Sequence, residues 1–251
     1  MVELPNSLRR GAAARMERID YAISALHNTP EQDLGNQADP LDEAVYMILS
    51  FQTDLPRLKA TWKDLRAAYP TWRSLQRASI PAIASTIRTG GLQQQKASRI
   101  RSLLSAVEEQ TGSLSLASLH ELDDSEAERF LTRLPGLSWK GARCVMLYSL
   151  GRSRFPVDGN TFRIFKRTGV LLETAVYRRR ELHDSLQSLV PAPRRKPLHI
   201  NLVVHGQNIC VPGVPYCPGC PLYNICPRVG LPPEAPRIHR SKSRLLTKAA
   251  K

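Results

Sequence analysis

The 251-residue sequence is poor in aromatic side chains and in long apolar runs. Aromatic residues make up only 6% of it, and its single Asp-Gly or Asn-Gly pair is Asp158-Gly159, so the signals for strands and tight hairpins are weak. No stretch of 18 apolar residues is present, which excludes a membrane-spanning helix. These absences leave a helical protein as the favoured fold class.

The N-terminal segment also lacks the apolar core of a signal peptide. Residues 1–15 are interrupted by Arg9, Arg10 and Arg15, where such a peptide would carry its apolar run. We therefore expect no secretion signal and a cytoplasmic protein whose cysteines remain reduced.

Acidic residues are scarce relative to basic ones. The chain has 36 lysine and arginine residues against 22 aspartate and glutamate residues, which gives a formal net charge of +14. Such a charge attracts polyanions, and nucleic acid is the expected partner. A membrane surface is the rival, but no basic amphipathic helix of the interfacial type is present, so we expect no membrane partner.

Part of the basic excess lies at the C-terminal end. Seven of the residues after Cys226 are basic and one, Glu234, is acidic, and four prolines interrupt them. Segment 228–251 is therefore predicted to be a disordered basic tail. It could add phosphate contacts, or it could serve only as a solubilising end.

Apolar residues recur at helical spacing along the body of the chain. Over residues 93–108 they fall at positions 97, 100, 103, 104 and 107. Ser125 and Glu128 form a candidate capping box for a helix over 126–133. The sequence thus predicts an all-α fold, with further helices over 10–26, 41–51, 55–68, 142–150, 177–189 and 198–207.

Four of the five cysteines fall within 17 residues near the C-terminal end. Cys210, Cys217, Cys220 and Cys226 have the spacing C-x6-C-x2-C-x5-C, with no histidine in a ligand position. The pattern contains one C-x2-C pair, whereas the familiar zinc patterns contain two. An iron–sulfur cluster fits at least as well, because each iron of such a cluster takes one thiolate. The residues alone leave a zinc site and two disulfides open as alternatives.

Between two predicted helices lies Leu134-Pro135-Gly136-Leu137-Ser138-Trp139-Lys140-Gly141-Ala142. The Pro-Gly turn ends the first helix, and Ser138 is a good N-cap for the second. A hairpin of this kind directs backbone N–H groups and a helix N-terminus to one side, where a phosphate can bind without its sequence being read. An aspartate, Asp158, follows Lys140 by 18 residues and makes the pattern more specific.

Two further segments belong with this hairpin: Val157-Asp158-Gly159-Asn160-Thr161-Phe162-Arg163, and His205-Gly206 before the four cysteines. Together, the three segments resemble the endonuclease III family. These proteins are base-excision DNA glycosylases of the helix–hairpin–helix superfamily. The resemblance covers roughly residues 40–227. It implies two α-helical lobes: a six-helix barrel over 40–150, with the hairpin at about 129–150, and a cluster lobe made of 1–39 and 151–227. DNA is expected to lie in the cleft between the lobes.

The resemblance also implies roles for individual residues. Lys140 falls on the family's catalytic lysine and Asp158 on its catalytic aspartate. Gln52 falls on a glutamine that helps fill the gap left by a flipped nucleotide, and Leu92 on a side chain that wedges into the duplex. The hairpin residues Gly136, Leu137, Ser138 and Gly141 are expected to bind DNA, and Cys210, Cys217, Cys220 and Cys226 to ligate a [4Fe–4S] cluster.

These residue types suit the chemistry that the family performs. A carboxylate near the sugar, Asp158, can stabilise positive charge as the glycosidic bond breaks, or activate the nucleophile. A neutral amine, Lys140, can attack the anomeric carbon and form a Schiff base. Elimination of the 3′ phosphate then gives abasic-site lyase activity. The target base must first leave the stack, which costs least when it is damaged or mispaired.

Two departures from the family pattern concern the substrate. Gly159 and Asn160 follow Asp158, as in the branch that removes adenine opposite 8-oxoguanine. That branch lacks the lysine and carries a glutamate in an early helix, where this chain has Met47. Ser138 replaces the usual second glycine of the hairpin. We therefore predict a bifunctional enzyme that removes damaged bases, with oxidised pyrimidines as the first candidates.

The expected partner is double-stranded DNA that contains a damaged base or an abasic site, bound by a monomer in the cytoplasm at the nucleoid. A monofunctional or mismatch-type glycosylase and a non-catalytic DNA-binding iron–sulfur protein remain as alternatives. Trapping of a covalent adduct with borohydride would separate the three.

Overall fold

The computed structural model describes residues 7–27 and 33–232. Within these ranges the regular elements are helices, and the one β-type pairing is an isolated antiparallel bridge between Leu8 and Leu171. None of the helices in the described ranges is long and apolar enough to cross a lipid bilayer. The α-helices are α1 Ala12–His27, α2 Pro40–Leu49, α3 Leu55–Ala68, α4 Trp72–Arg77, α5 Ile80–Thr86, α6 Gln93–Thr111, α7 Asp124–Arg133, α8 Trp139–Cys144, α9 Gly159–Arg167, α10 Arg180–Ser188 and α11 Ala192–Asn208. The predicted all-α fold class is confirmed.

Two local predictions were wrong. The capping box of α7 is formed by Asp123 and Glu126, because the Asp123 carboxylate accepts from the N–H of Glu126 while the Glu126 side chain accepts from the N–H of Asp123. Helix α11 begins at Ala192, six residues before the predicted start, and it contains Pro197. Pro197 lies beyond the first turn of α11 and removes one intrahelical hydrogen bond, and the packing of α11 against α1 and α9 offsets that cost.

The chain divides into two compact units. One is Leu34–Arg154, and the other joins the described residues before Leu34 to residues 155–232. The sequence prediction placed the changes of lobe at 39/40 and 150/151. Of the predicted tail, residues 233–251 lie outside the described residues.

The Leu34–Arg154 unit is built around α2, which is buried on nearly all sides. Helices α3, α5, α6 and α8 pack around it or around one another, and their apolar side chains form one core with it. The two helices of the hairpin, α7 and α8, are joined by a buried ion pair in which Arg143 donates to Glu128 over 2.6 Å. A buried pair of this quality fixes the angle of the hairpin because breaking it would strand a charge.

The second unit packs α1 and α9 against α11. Its apolar core includes Phe155, Ile164, Phe165 and Leu202. A pair of buried histidines lies beside this core: His27 of α1 and His205 of α11 approach to 3.0 Å between ring nitrogens. Burial lowers the pKa of His27 to about 4 and that of His205 to about 3, so both rings are neutral near pH 7.

Candidate functional site

The hairpin between α7 and α8 has the geometry that its sequence predicts. Leu134 ends α7, and Gly136 adopts a left-handed backbone with φ +84°. A Cβ at Gly136 would lie 3.0 Å from the Ile48 side chain, so the turn needs glycine both for its conformation and for its contact with α2. Ser138 caps α8 by accepting from the N–H of Gly141. The N-terminus of α8 is thereby held beside α2.

Lys140, in the first turn of α8, is half-buried. Its ammonium donates to the Met47 thioether at 3.2 Å and to the Ser50 hydroxyl at 3.4 Å. Both acceptors are uncharged and lie at the C-terminal end of α2. The amine is therefore positioned by weak neutral acceptors, which leaves it able to exchange these contacts for a substrate.

Glu43 lies one turn before Met47 on the same face of α2. Its side chain is fully buried and accepts from the N–H of Gln37 at 2.7 Å and from the Asn36 amide at 2.5 Å. Burial raises the pKa of Glu43 to about 7, while these hydrogen bonds and the charge of Lys140 act in the opposite direction. Sequence reasoning missed this carboxyl group, although its spacing of four and seven residues from Met47 and Ser50 was available as a signal.

Gln52 and Leu92 lie at the ends of two loops of the same unit, after α2 and before α6. Both have φ +50°, a left-handed conformation that side chains with a Cβ rarely adopt, and both are exposed. Phe51, the neighbour of Gln52, is 43% exposed, and the Arg99 guanidinium lies 5.6 Å from its ring centroid. Strained and exposed residues of this kind concentrate at functional sites.

Asp158 belongs to the second unit and is the N-cap of α9. One of its carboxylate oxygens accepts from the N–H of Thr161 and the other from the Asn160 side chain, each at 2.7 Å. Asn160 in turn accepts from Arg163, which also donates to the carbonyl oxygens of Gly206 and Cys210. The carboxylate is therefore fixed in orientation. Sequence reasoning assigned no role to Asn160 or Arg163, although both fall in the motif that carries Asp158.

The four clustered cysteines of the second unit line one common cavity, together with Ile164, Arg167 and His205. The Arg167 guanidinium donates to the sulfur of Cys210 at 3.3 Å, and the His205 Nε2 lies 3.5 Å from the sulfur of Cys220. Within residues 7–27 and 33–232, no three His, Cys, Asp or Glu side chains are gathered closely enough to hold a single metal ion. The arrangement is that of a lined cavity rather than of a closed site for one ion.

The protonation of these thiols depends on burial. Burial raises the pKa of Cys220 to about 12 and raises the pKa values of Cys217 and Cys226 as well, with further contributions from the neighbouring sulfurs. Ligation of a metal group deprotonates thiols outright, so this set of one buried and three half-buried thiols is matched to a cationic iron core. All-sulfur donors and a shared cavity fit an iron–sulfur cluster. Cys144 lies apart from them, buried in the core of the other unit.

The comparisons with known proteins agree with this geometry. Residues 45–191 match the family model described as HhH-GPD superfamily base excision DNA repair protein. Endonuclease III of Thermotoga maritima is 27% identical over 190 residues, which are 76% of this chain and 84% of that protein. A candidate DNA glycosylase of Arabidopsis thaliana is 31% identical over 68% of this chain.

The plant relatives are longer than this chain. The matched region spans 57% of the Arabidopsis candidate glycosylase and 12% of the Arabidopsis DNA glycosylase/AP lyase ROS1, which is 27% identical over 170 residues.

Solved structures share the fold. A non-covalent endonuclease III–DNA complex superimposes with a TM-score of 0.73 at 21% identity, over 86% of this chain and 95% of that one. A thermostable thymine-DNA glycosylase superimposes with a TM-score of 0.70 at 20% identity, over 87% and 98%. The helical fold, the hairpin and the match over more than half of the chain lead to one conclusion: the protein belongs to the HhH-GPD superfamily of base excision DNA repair proteins.

Proposed function

We propose that this protein is a bifunctional DNA glycosylase and abasic-site lyase that removes damaged bases, oxidised pyrimidines first among them, from duplex DNA. The observation that carries the proposal is the setting of Lys140. Its amine is half-buried, lies at the N-terminus of the hairpin's second helix, and is hydrogen-bonded only weakly, to a thioether and a hydroxyl. An amine so placed beside a phosphate-binding turn is suited to attack a sugar carbon.

In the proposed reaction, neutral Lys140 attacks the anomeric carbon of the flipped nucleotide, and the bond to the base breaks with the electron pair leaving on the base. Opening of the sugar gives a Schiff base with the lysine. Solvent water then takes a proton from the adjacent sugar carbon, the electron pair of that C–H bond forms a C=C bond, and the 3′ phosphate leaves with the electron pair of its C–O bond. Asp158 stabilises the positive charge on the sugar, because its carboxylate is already oriented by Thr161 and Asn160.

Duplex DNA is bound through phosphate contacts of the hairpin, with Gly136, Leu137, Ser138 and Gly141 at the turn. Gln52 and Leu92 enter the space vacated by the flipped nucleotide. The cysteines at 210, 217, 220 and 226 hold a [4Fe–4S] cluster, whose part is to cross-link the loop that follows α11. The protein acts as a monomer.

The test is covalent trapping with borohydride on a duplex that carries an oxidised pyrimidine, and on one that carries an abasic site. Wild-type protein should form the adduct, and Lys140→Ala should form about 1,000-fold less of it or none. Lys63→Ala, which removes an exposed lysine of α3 in the same unit, is the matched control and should behave as wild type.

The same assay separates the alternatives. Base release without an adduct would identify a monofunctional glycosylase, and binding without release would identify a DNA-binding protein without catalysis. An undiminished adduct in Lys140→Ala would mean that another amine is the nucleophile. Phosphate contacts require that binding weaken steeply with salt.

A further inference from the structure

The backbone at Gln52 and Leu92 is held in a conformation that these residues do not favour. Among the described residues other than glycine, only these two and Arg228 have a positive φ. A left-handed conformation costs a residue with a Cβ about 1–2 kcal/mol, so something in the surroundings must stabilise it. Leu92 is the N-cap residue of α6 and makes no side-chain capping bond. In the loop after α2, the Ser50 and Thr53 hydroxyls lie within hydrogen-bond distance of the carbonyl oxygens of Met47 and Leu49.

Lys96, in the first turn of α6, lies directly behind both loops. Its side chain is only 1% exposed. Its ammonium donates to the carbonyl oxygen of Leu49 at 2.9 Å, to that of Gly90 at 2.8 Å, and to the hydroxyl of Thr53. Each of the three ammonium protons thus has an acceptor, and all three acceptors are neutral.

These three acceptors lie close in sequence to the two residues with positive φ. Leu49 and Thr53 stand before and after Gln52, and Gly90 precedes Leu92 by two residues. The Thr53 hydroxyl also lies 2.8 Å from the carbonyl oxygen of Gly90 and 2.9 Å from that of Leu49, so its single proton can either join the two loops directly or bond within its own loop. Lys96 and Thr53 therefore connect a loop that follows α2 to a loop more than 35 positions later in the chain.

A buried ammonium without a carboxylate in its hydrogen-bond shell is a costly element of a core. Burial lowers the pKa of Lys96 to about 8, which still leaves it mostly charged at pH 7. A neutral side chain could donate at most two hydrogen bonds from one atom here, and an apolar one would leave carbonyl groups unsatisfied. The site therefore needs three donors at a single point between the loops.

We propose that Lys96 is a positioning residue that holds Gln52 and Leu92 in their left-handed conformations, so that both side chains enter the duplex around a flipped nucleotide. This inference rests on the proposed function, because it takes from it the insertion of the two side chains. Lys96 touches neither DNA nor the reacting atoms. Its removal should therefore impair the opening of a duplex and spare chemistry on DNA that is already open.

The experiment compares an abasic site in a duplex with the same strand left single. Borohydride trapping gives the rate on each, and 2-aminopurine beside the site reports by its fluorescence whether the base stack opens on binding. The variants are Lys96→Met, which keeps the length of the side chain, and Thr53→Val, which keeps its shape and removes one link. Leu103→Ala, a core truncation on α6, is the control for lost stability.

Lys96→Met should lower the duplex rate at least about 10-fold, the effect of losing roughly 1.4 kcal/mol, and change the single-strand rate less than about twofold. Thr53→Val should do the same to a smaller extent, and it serves as the test if Lys96→Met does not fold. Leu103→Ala should leave the ratio of the two rates unchanged. Equal losses on both substrates, or a shifted ratio in Leu103→Ala, would overturn the proposal.

The two proposals fail in different ways. If wild-type protein forms no adduct on either substrate, the proposed lyase function is refuted. The positioning role of Lys96 is then judged by fluorescence alone. A rise in 2-aminopurine fluorescence with wild type that is weaker with Lys96→Met and Thr53→Val supports the positioning role. No rise with wild type, or an equal rise with all variants, overturns it.

Discussion

The two compact units of this protein satisfy their buried polar groups in different ways. In the Leu34–Arg154 unit the buried charges find partners within the polypeptide: Arg143 pairs with Glu128, and Lys96 is saturated by carbonyl and hydroxyl oxygens. In the other unit, four thiols surround a cavity, and burial raises the pKa values of three of them, Cys217, Cys220 and Cys226. The first unit completes its core by itself, whereas in the second the four thiols would gain partners from the proposed [4Fe–4S] cluster. The difference predicts which unit depends on a cofactor.

The largest effect is expected from Cys220→Ser in the second unit. Loss of one ligand should remove the cluster and lower the stability of that unit by on the order of 5 kcal/mol or more, because metal binding in small sites supplies much of the folding free energy. Hydrogen exchange followed by mass spectrometry should show lost protection over 7–27 and 155–232 and intact protection over 34–154. Cys144→Ala, a cysteine deletion in the first unit, is the control. Unchanged exchange in Cys220→Ser would contradict the comparison.

A smaller effect on the free energy of unfolding, one that depends on pH, is expected from Glu43→Gln in the first unit. Folding raises the pKa of Glu43 from 4.5 to about 7, so the folded state binds this proton more tightly. The resulting stabilisation is complete below pH 4.5 and is lost as the pH rises through 7, by roughly 3 kcal/mol in all. Relative to wild type, Glu43→Gln should therefore gain stability between pH 5 and pH 8.

Urea denaturation followed by tryptophan fluorescence measures this effect in the right unit. All three tryptophans, Trp62, Trp72 and Trp139, lie within 34–154. A stability difference between Glu43→Gln and wild type that is the same at both pH values would show that Glu43 keeps an ordinary pKa in the fold.

The smallest effect on stability separates the capping role of Asp158 from its proposed catalytic role. Asp158→Ala should cost about 1 kcal/mol, because it removes the N-cap of α9, whereas Asp158→Asn keeps a capping oxygen and should cost only a few tenths. Both should lower adduct formation, because both remove the charge. Thermal unfolding and borohydride trapping of the same two proteins give the two readouts. Full activity in Asp158→Asn would show that the charge is not needed.

Short-range sequence patterns predicted the helices and the turn whose ends are determined by contacts between neighbouring residues. Helix α3 spans Leu55–Ala68 as its pattern predicts, because Asp54 caps it and apolar spacing continues to its end. The hairpin followed from a Pro-Gly turn and a serine cap. The start of α11 was predicted wrongly, because its prolines indicate a helix boundary, whereas packing against α1 and α9 favours an unbroken helix.

The parts of the site that escaped prediction are those that long-range contacts create. Nothing in the residues near Lys96 indicates that its ammonium will meet a carbonyl 47 positions earlier. The same holds for Glu43, whose burial depends on the loop at Asn36 and Gln37. The roles of Lys140, Asp158 and the four cysteines remain predictions, and the structure supplies the contacts through which each can be tested.

The left-handed backbone at Gln52 and Leu92 has a consequence for protein engineering. Glycine would adopt these angles without the steric penalty, so a search for thermostable variants should select Gln52→Gly and Leu92→Gly among its first gains. Such variants would unfold at a higher temperature, and under the proposed function they would open duplex DNA less well. A stability screen of this protein would therefore work against the proposed repair activity unless both positions were excluded from the library.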